Sequence, residues 1–312
     1  MNSKNRSRFS QAVFFIIFIY YPLQIYPTSC KRRRFMLKYF CRAQKLHVRH
    51  RKEKKLKILV IGDVTSPKGV EHLKDNLWRI RKEKGVDFCV VNGENASFIT
   101  GISAELAEIL LRSGADVITG GNHTLRNRAA YTYLDDTREI LRPINFPDTA
   151  PGRGYTILDS NGYRMLVISA MGNVYIEPTL DSPFPFIDRA LKREEGKYDF
   201  AILDIHAEAT GEKYAVAHAY DGKINVIFGT HTHVQTADEQ ILPHGTGFLS
   251  DVGMCGESGG ILGLDAKSTV ERMRTHLPVK YTVASGAPYA NAALFTLDTS
   301  SGKVTDIERF TF

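Results

Sequence analysis

Cysteine is scarce in this chain: four residues in 312, at Cys30, Cys41, Cys89 and Cys255, with no Cys-x-x-Cys pair among them. A disulfide framework is thereby excluded, and no thiolate cluster is left to hold a metal. This usage fits a reducing cytoplasm. Cys89, inside the apolar run Val86 to Val91, reads as a small core residue, and Cys255 follows a loop methionine with no adjacent base to activate it.

Acid is nearly absent from the amino terminus. Residues 1 to 57 hold 16 Lys or Arg against the single acid Glu53, so the rest of the chain carries 25 basic against 33 acidic side chains, a balance of −8 beneath an overall +7. A uniform basic face for nucleic acid is excluded from that acidic body. Long apolar runs are missing too. The stretch Ala12 to Tyr26 is interrupted by Pro22 and Gln24 and falls short of the roughly 20 residues that cross a bilayer as a helix. It lies between Lys4, Arg6 and Arg8 on one side and Lys31 to Arg34 on the other, and an export signal lacks the second cluster. Residues 1–55 therefore read as an extension outside the fold, disordered or upstream of a start at Met36, with a weak membrane anchor as the alternative. Residues 43–57 read as a solvated linker, with weak contact to anionic lipid or nucleic acid as the alternative reading, and weak membrane contact through residues 1–57 is the corresponding option for the extension.

What is present is an alternation of strand and helix patterns from Lys57 onward. Lys57 to Ile61 reads as a buried strand, and Val70, Leu73, Leu77 and Ile80 form one face of the helix after it, at spacings of three and four. Val86 to Val91 is the second strand. Ser103 caps a helix over Ala104 to Arg112, Gly114 ends it, and Asp116 to Thr119 begins the third strand. Tyr155 to Ile157 and Met165 to Ser169, around Asp159, Ser160, Asn161 and Gly162, read as an antiparallel hairpin, which makes the sheets mixed. Strands resume at Phe200 to Ile205 and Val226 to Phe228. The tail from Tyr281 to Phe310 reads as short strands around turns at Ser285-Gly286 and Ser301-Gly302. With no internal repeat and no dividing linker, residues 56–312 read as one α/β domain of two sheets with outer helices.

Five polar blocks follow apolar runs in this pattern: Asp63; Glu94 with Asn95; Asn122 with His123; His206; and His231 with His233. Each alone is more often a turn, a cap or a structural histidine. Jointly they place carboxylate, amide and imidazole at successive strand ends, where open α/β sheets present ligand sites. This oxygen and nitrogen set suits a hard or borderline divalent ion. Seven candidate ligands exceed the needs of one tetrahedral ion, so two ions sharing a carboxylate is the economical reading, an arrangement that clamps both oxygens of a phosphoryl transfer. His231 and His233, at alternate positions, share a side if their backbone is extended. Asp204, two residues before His206, is a candidate to orient an imidazole. Glu208 and Lys213 read as residues that cap and solvate a helix, and His72, His218, His244 and His276 as surface or core residues.

The blocks G-N-H at 121–123 and G-T-H-T-H at 229–233 resemble those of calcineurin-like metallophosphoesterases. I-G-D at 61–63, N-G-E-N-A at 92–96, R-P-x-N-F-P at 142–147, H-A-E-A-T at 206–210, G-T-H-T-H-V-Q-T-A-D at 229–238 and D-V-G-M at 251–254 resemble the YmdB-like branch of that superfamily over nearly all of 56–312. The resemblance implies a four-layer αββα sandwich, a di-iron or di-manganese centre (Fe²⁺ or Mn²⁺) and a homo-oligomer. It also implies a small phosphodiester or nucleotide substrate, 2′,3′-cyclic nucleotides included. It assigns Asp63, Glu94, Asn95 and His233 to one ion, Glu94, Asn122, His206 and His231 to the other, and leaves His123 for catalysis. The superfamily's D-x-H is Asp63-Val64-Thr65 here, so an imidazole is missing that Asn95 replaces, and the bridge is Glu in place of the usual Asp. Leu125 and Arg126 stand where the branch often has an aromatic and an acid, which bears on substrate preference. The implied reaction is attack on phosphorus by hydroxide held between the ions, with His123 as proton donor to the leaving alkoxide. A metal-dependent phosphomonoesterase or nucleotidase is the alternative enzyme, and a metal- or nucleotide-binding regulator the alternative without catalysis.

Overall fold

The computed structural model describes residues 55–98 and 101–312, so the expectations for the amino-terminal extension lie outside the described residues. Residues Glu53–Phe312 form one compact unit. Its elements run β1 (Lys55–Ile61), β2 (Asp63–Val64), α1 (Pro67–Lys84), β3 (Phe88–Asn92), α2 (Ala104–Arg112), β4 (Val117–Thr119), α3 (Tyr131–Asp136), β5 (Tyr155–Ser160), β6 (Tyr163–Met171), α4 (Phe184–Arg193) and β7 (Phe200–His206). They continue as α5 (Thr210–Ala219), β8 (Val226–Thr230), β9 (Gln240–Ile241), β10 (Gly247–Leu249), β11 (Met254–Glu257), α6 (Ala266–Thr275), β12 (Pro288–Asp298) and β13 (Lys303–Thr311).

Two mixed sheets result. One has the order β2-β11-β12-β1-β3-β4 with β13 on β12, and the other β5-β6-β7-β8-β10-β9. Side-chain alternation along the strands builds three apolar layers from them. Leu56, Ile58, Val60 and Val90 from the first sheet meet Met165, Val167, Ile202, Val226 and Phe228 from the second, filling the space between sheets. The intervening residues Leu59, Ile61, Cys89 and Val91 point the other way, against Val70, Leu73 and Leu77 of α1 and Ala107 and Leu110 of α2. On the far side Leu166, Ile168, Leu203 and Ile227 pack against Ile187 of α4 and Val216 and Ala217 of α5. This is the four-layer αββα sandwich, with each buried aliphatic side chain stabilising it by about 1.5–3 kcal/mol.

Local signals place most boundaries. Ser66 Oγ accepts from Gly69 N at 3.1 Å to cap α1, Pro67 opens it, and Gly85 closes it at φ +67. Ser103 caps α2 through Leu106 N as the sequence predicts. The tail differs from expectation. β12 is an eleven-residue strand that pairs with β1, β11 and β13, and Ser301-Gly302 turns it into the nine-residue β13, whereas Ser285-Gly286 precedes the hairpin. A strand flanked on both sides is long because three partners use its backbone. Cys255 lies buried in β11, not in a loop.

At Gly62 the chain passes from β1 to β2 directly beneath the 251–253 loop. Asp63 N donates to Gly253 O at 3.0 Å, and a Cβ on Gly62 would lie 1.9 Å from that same oxygen. Gly62→Ala therefore forces two backbones apart and is expected to destabilise by about 1–3 kcal/mol. Gly211→Ala, inside α5 with nothing within 4 Å of the added carbon, should be neutral or stabilising. Urea unfolding midpoints compare the two, and equal midpoints would contradict the close approach.

Candidate metal centre

All seven expected ligands stand at the carboxyl ends of strands, where the two sheets come together. Asp63 follows β1, Glu94 and Asn95 follow β3, Asn122 follows β4, His206 ends β7, and His231 and His233 follow β8. Asp63, Glu94, Asn95 and His206 are buried, and Asn122, His231 and His233 are partly exposed.

Four of them converge on one point. His206 Nε2 lies 3.1 Å from Asn122 Oδ1, 3.1 Å from His231 Nδ1 and 3.4 Å from Glu94 Oε2. Donor atoms of Glu94, His206 and His231 all fall within 4.8 Å of one another. Beside them Asp63 Oδ1 is 3.7 Å from His206 Nδ1 and 4.0 Å from His233 Nε2. Asn95 stands between Glu94 and His123. Its Nδ2 donates to Glu94 Oε1 at 2.8 Å and its Oδ1 pairs with His123 Nδ1, so the amide oxygen meets the catalytic candidate and not Asp63.

Each histidine has one ring nitrogen tied to an oxygen away from the cluster. His206 Nδ1 meets Thr230 Oγ1 at 2.9 Å, His231 Nε2 meets Glu208 at 3.2 Å, and His233 Nδ1 meets the Leu262 carbonyl at 3.2 Å. A proton on each outer nitrogen leaves the lone pairs of His206 Nε2, His231 Nδ1 and His233 Nε2 facing inward, the tautomers that metal-ligating imidazoles adopt. Inward lone pairs and carboxylates without a cation repel.

Three further observations fit a cation. Asp63 Oδ1 is buried without a hydrogen-bond partner among the described residues, a state that costs free energy in a protein interior. Gly121 leaves a cradle, because a Cβ there would lie 2.2 Å from Glu94 Oε2 and 2.4 Å from His206 Nε2. The electrostatics also call for positive charge. Burial pushes the His206 imidazole down, yet Glu94 and Asp63 outweigh it and raise it to about 9. Burial and the neighbouring His206 hold His231 down at about 3, and burial lifts the Asp63 carboxyl above its ordinary range.

The outer residues were only partly legible. Asp204 does orient His206, but through Thr230, whose hydroxyl donates to Asp204 Oδ1 at 2.8 Å. Glu208 and Lys213 do not cap or solvate a helix. Glu208 braces His231, and Lys213 is buried with Nζ 2.7 Å from Asp251 Oδ2. That carboxylate also accepts from Thr232 N at 3.1 Å and Thr232 Oγ1 at 2.8 Å, which fixes the turn between the two histidines. His231 and His233 reach the cluster at φ +103 and +64, so their backbone is a strained turn and the extended condition for a shared side is not met. Leu125 packs partly into the apolar core and Arg126 is exposed on the turn after His123. His72 and His244 serve local contacts with Phe312 and Asp221.

The cluster opens into a cavity of about 320 Å³ that His123 lines with Glu94, His231 and His233. This sandwich, with oxygen and imidazole donors meeting at the strand ends of both sheets, defines a metallophosphoesterase. The chain belongs to the YmdB-like family, whose model matches residues 59–310. It is 39% identical over 254 residues, 81% of this chain and 96% of the other, to the 2′,3′-cyclic-nucleotide 2′-phosphodiesterase of Bacillus subtilis. Among solved structures, a hypothetical protein from Thermus thermophilus superposes with a TM-score of 0.75 at 34% identity, over 82% of this chain and 99% of that one. A phosphatase from Mycoplasma pneumoniae gives 0.77 at 28% identity, over 83% and 94%.

The Glu208 contact carries a measurable consequence. Removing such a brace costs about 10–100-fold in metal affinity. Glu208→Ala should therefore bind Mn²⁺ more weakly by that margin in a chelator competition, with its circular dichroism spectrum intact. An affinity equal to the wild type would show that His231 needs no brace.

Proposed function

We propose that this chain is a binuclear, divalent-metal-dependent phosphodiesterase whose substrates include 2′,3′-cyclic nucleotides. The observation that carries the reading is the inward convergence of Glu94, Asn122, His206 and His231 around one point, with Asp63 and His233 beside it. In this reading Asp63, Asn95, Glu94 and His233 hold one ion, Asn95 through the second lone pair of the amide oxygen that also meets His123, and Glu94, Asn122, His206 and His231 hold the other, and Fe²⁺ or Mn²⁺ suits the donors. Bound there, two ions lower the pKa of a water from about 15.7 towards 7 and neutralise charge on the phosphate.

The chain's own residues supply the rest. His123 N donates to Glu94 Oε2 at 2.9 Å, so the catalytic candidate and the shared carboxylate are fixed to each other. Asn95 Oδ1 accepts from His123 Nδ1, which leaves Nε2 free, and the doubly protonated ring would hand its Nε2 proton to the departing alkoxide. Asn92 Oδ1 accepts from Glu94 N at 3.1 Å and sets the turn that presents both residues. The name of the B. subtilis relative supports a cyclic diester substrate, while the name of the M. pneumoniae neighbour favours a phosphomonoesterase as the second reading.

Hydrolysis of 2′,3′-cyclic AMP, bis-p-nitrophenyl phosphate and p-nitrophenyl phosphate by the Mn²⁺-loaded protein separates these readings. Diesterase activity should exceed monoesterase activity and vanish with a chelator. His123→Ala should lower kcat about 10²–10⁴-fold while retaining its metal. A mutant that keeps wild-type turnover removes His123 from the chemistry, and monoester-only turnover removes the diesterase reading.

A further inference from the structure

The wall of the cavity that the metal donors share contains two bulky apolar residues in a backbone conformation that such residues avoid. Phe98 sits at φ +56 and Leu262 at φ +54, and both line the same cavity as Glu94, His123 and His231. Each is a strain that persists only where the surroundings impose it and that clusters at ligand sites.

The turn at Leu262 makes the point sharply. Ile261 and Leu264 exchange both backbone hydrogen bonds, 2.8 and 2.9 Å, around the two central residues Leu262 and Gly263. Both central residues have positive φ, +54 and +86, the signature of a type I′ turn, whose first central position favours Asn, Asp or Gly. Here it holds a leucine that is 47% exposed. The turn is also anchored: Ala284 N donates to Gly263 O at 2.9 Å, and Leu262 O receives His233 Nδ1. A rigid turn with an ill-suited, half-exposed apolar residue at its tip, tied by its own carbonyl to a metal-facing histidine, presents that residue to something in the cavity.

We infer that Leu262 and Phe98 form the subsite for the nucleobase of the substrate, with the phosphate at the metal donors. This deepens the proposed function and rests on it. The cavity, about 320 Å³, lies within the range of small-ligand sites. A phosphoryl group satisfied by cations and His123 leaves the remainder of the substrate against this wall, and a flat aromatic heterocycle is the part of a nucleotide that gains from leucine and phenylalanine.

The test is equilibrium binding of adenosine 3′-monophosphate and of inorganic phosphate to the Mn²⁺-loaded full chain by calorimetry, for the wild type, Leu262→Asn and Phe98→Asn. Asparagine suits the left-handed conformation, so both variants should fold, and Leu262→Asn should melt at the wild-type temperature or above. The wild type should prefer the nucleotide, and each variant should reduce the ratio of the two Kd values by about fivefold. A ratio unchanged in both variants, or a wild type that binds the two ligands equally, overturns the subsite. Turnover separates it from the broader reading. A wild type that keeps the nucleotide preference but hydrolyses no diester sinks the phosphodiesterase proposal alone, and a wild type that hydrolyses diesters while the variants keep its ratio sinks the subsite alone.

Discussion

The buried carboxylate of Asp204 is the contact on which the remainder of the site depends. Its oxygens accept from Thr119 Oγ1 at 2.5 Å, Asn92 Nδ2 at 2.9 Å and Thr230 Oγ1 at 2.8 Å. Asn92 and Thr119 end β3 and β4 of one sheet, while Asp204 and Thr230 belong to β7 and β8 of the other. A single side chain therefore fixes how the strand ends of the two sheets face one another. From there the order spreads outward: Thr230 sets the His206 ring, and Asn92 sets the backbone of Glu94. Burial lifts the Asp204 carboxyl to about 6 against three donors that favour its charge. A satisfied network of this kind specifies geometry, because each member loses a partner if any other moves.

The succession of strands and helices and the polar blocks were legible in the sequence because each depends on local signals. Strand alternation decides which face an aliphatic residue takes, and helical spacing predicts the buried Val70, Leu73, Leu77 and Ile80 of α1 just as readily. Ser103 and the Asn161-Gly162 turn act through their immediate neighbours in the same way. The clustering of donors followed from their repeated position after strands.

What escaped reading depends on partners distant in sequence. Lys213 and Asp251 are 38 residues apart, and nothing near Lys213 marks it as a buried cation that holds a histidine turn. Glu208 looks like a residue at the start of α5 until β8 brings His231 beside it. The condition that the backbone of His231 and His233 be extended is not met, for a related reason. The turn is held by Asp251 through Thr232, and this tertiary constraint overrides the local preference of histidine. The length of β12 is likewise set by the three strands that pair with it.

The division of the donors between the sheets has a thermodynamic consequence. Asp63, Glu94, Asn95 and Asn122 extend from one sheet, and His206, His231 and His233 from the other. A cation held by both, as proposed, would act as a staple across the seam of the sandwich, one that exists only while the sheets are docked. Such linkage adds about 2.7 kcal/mol of folding stability at a free concentration 100 times the dissociation constant. Under that proposal the resistance of this protein to heat becomes a readout of the metal supply around it.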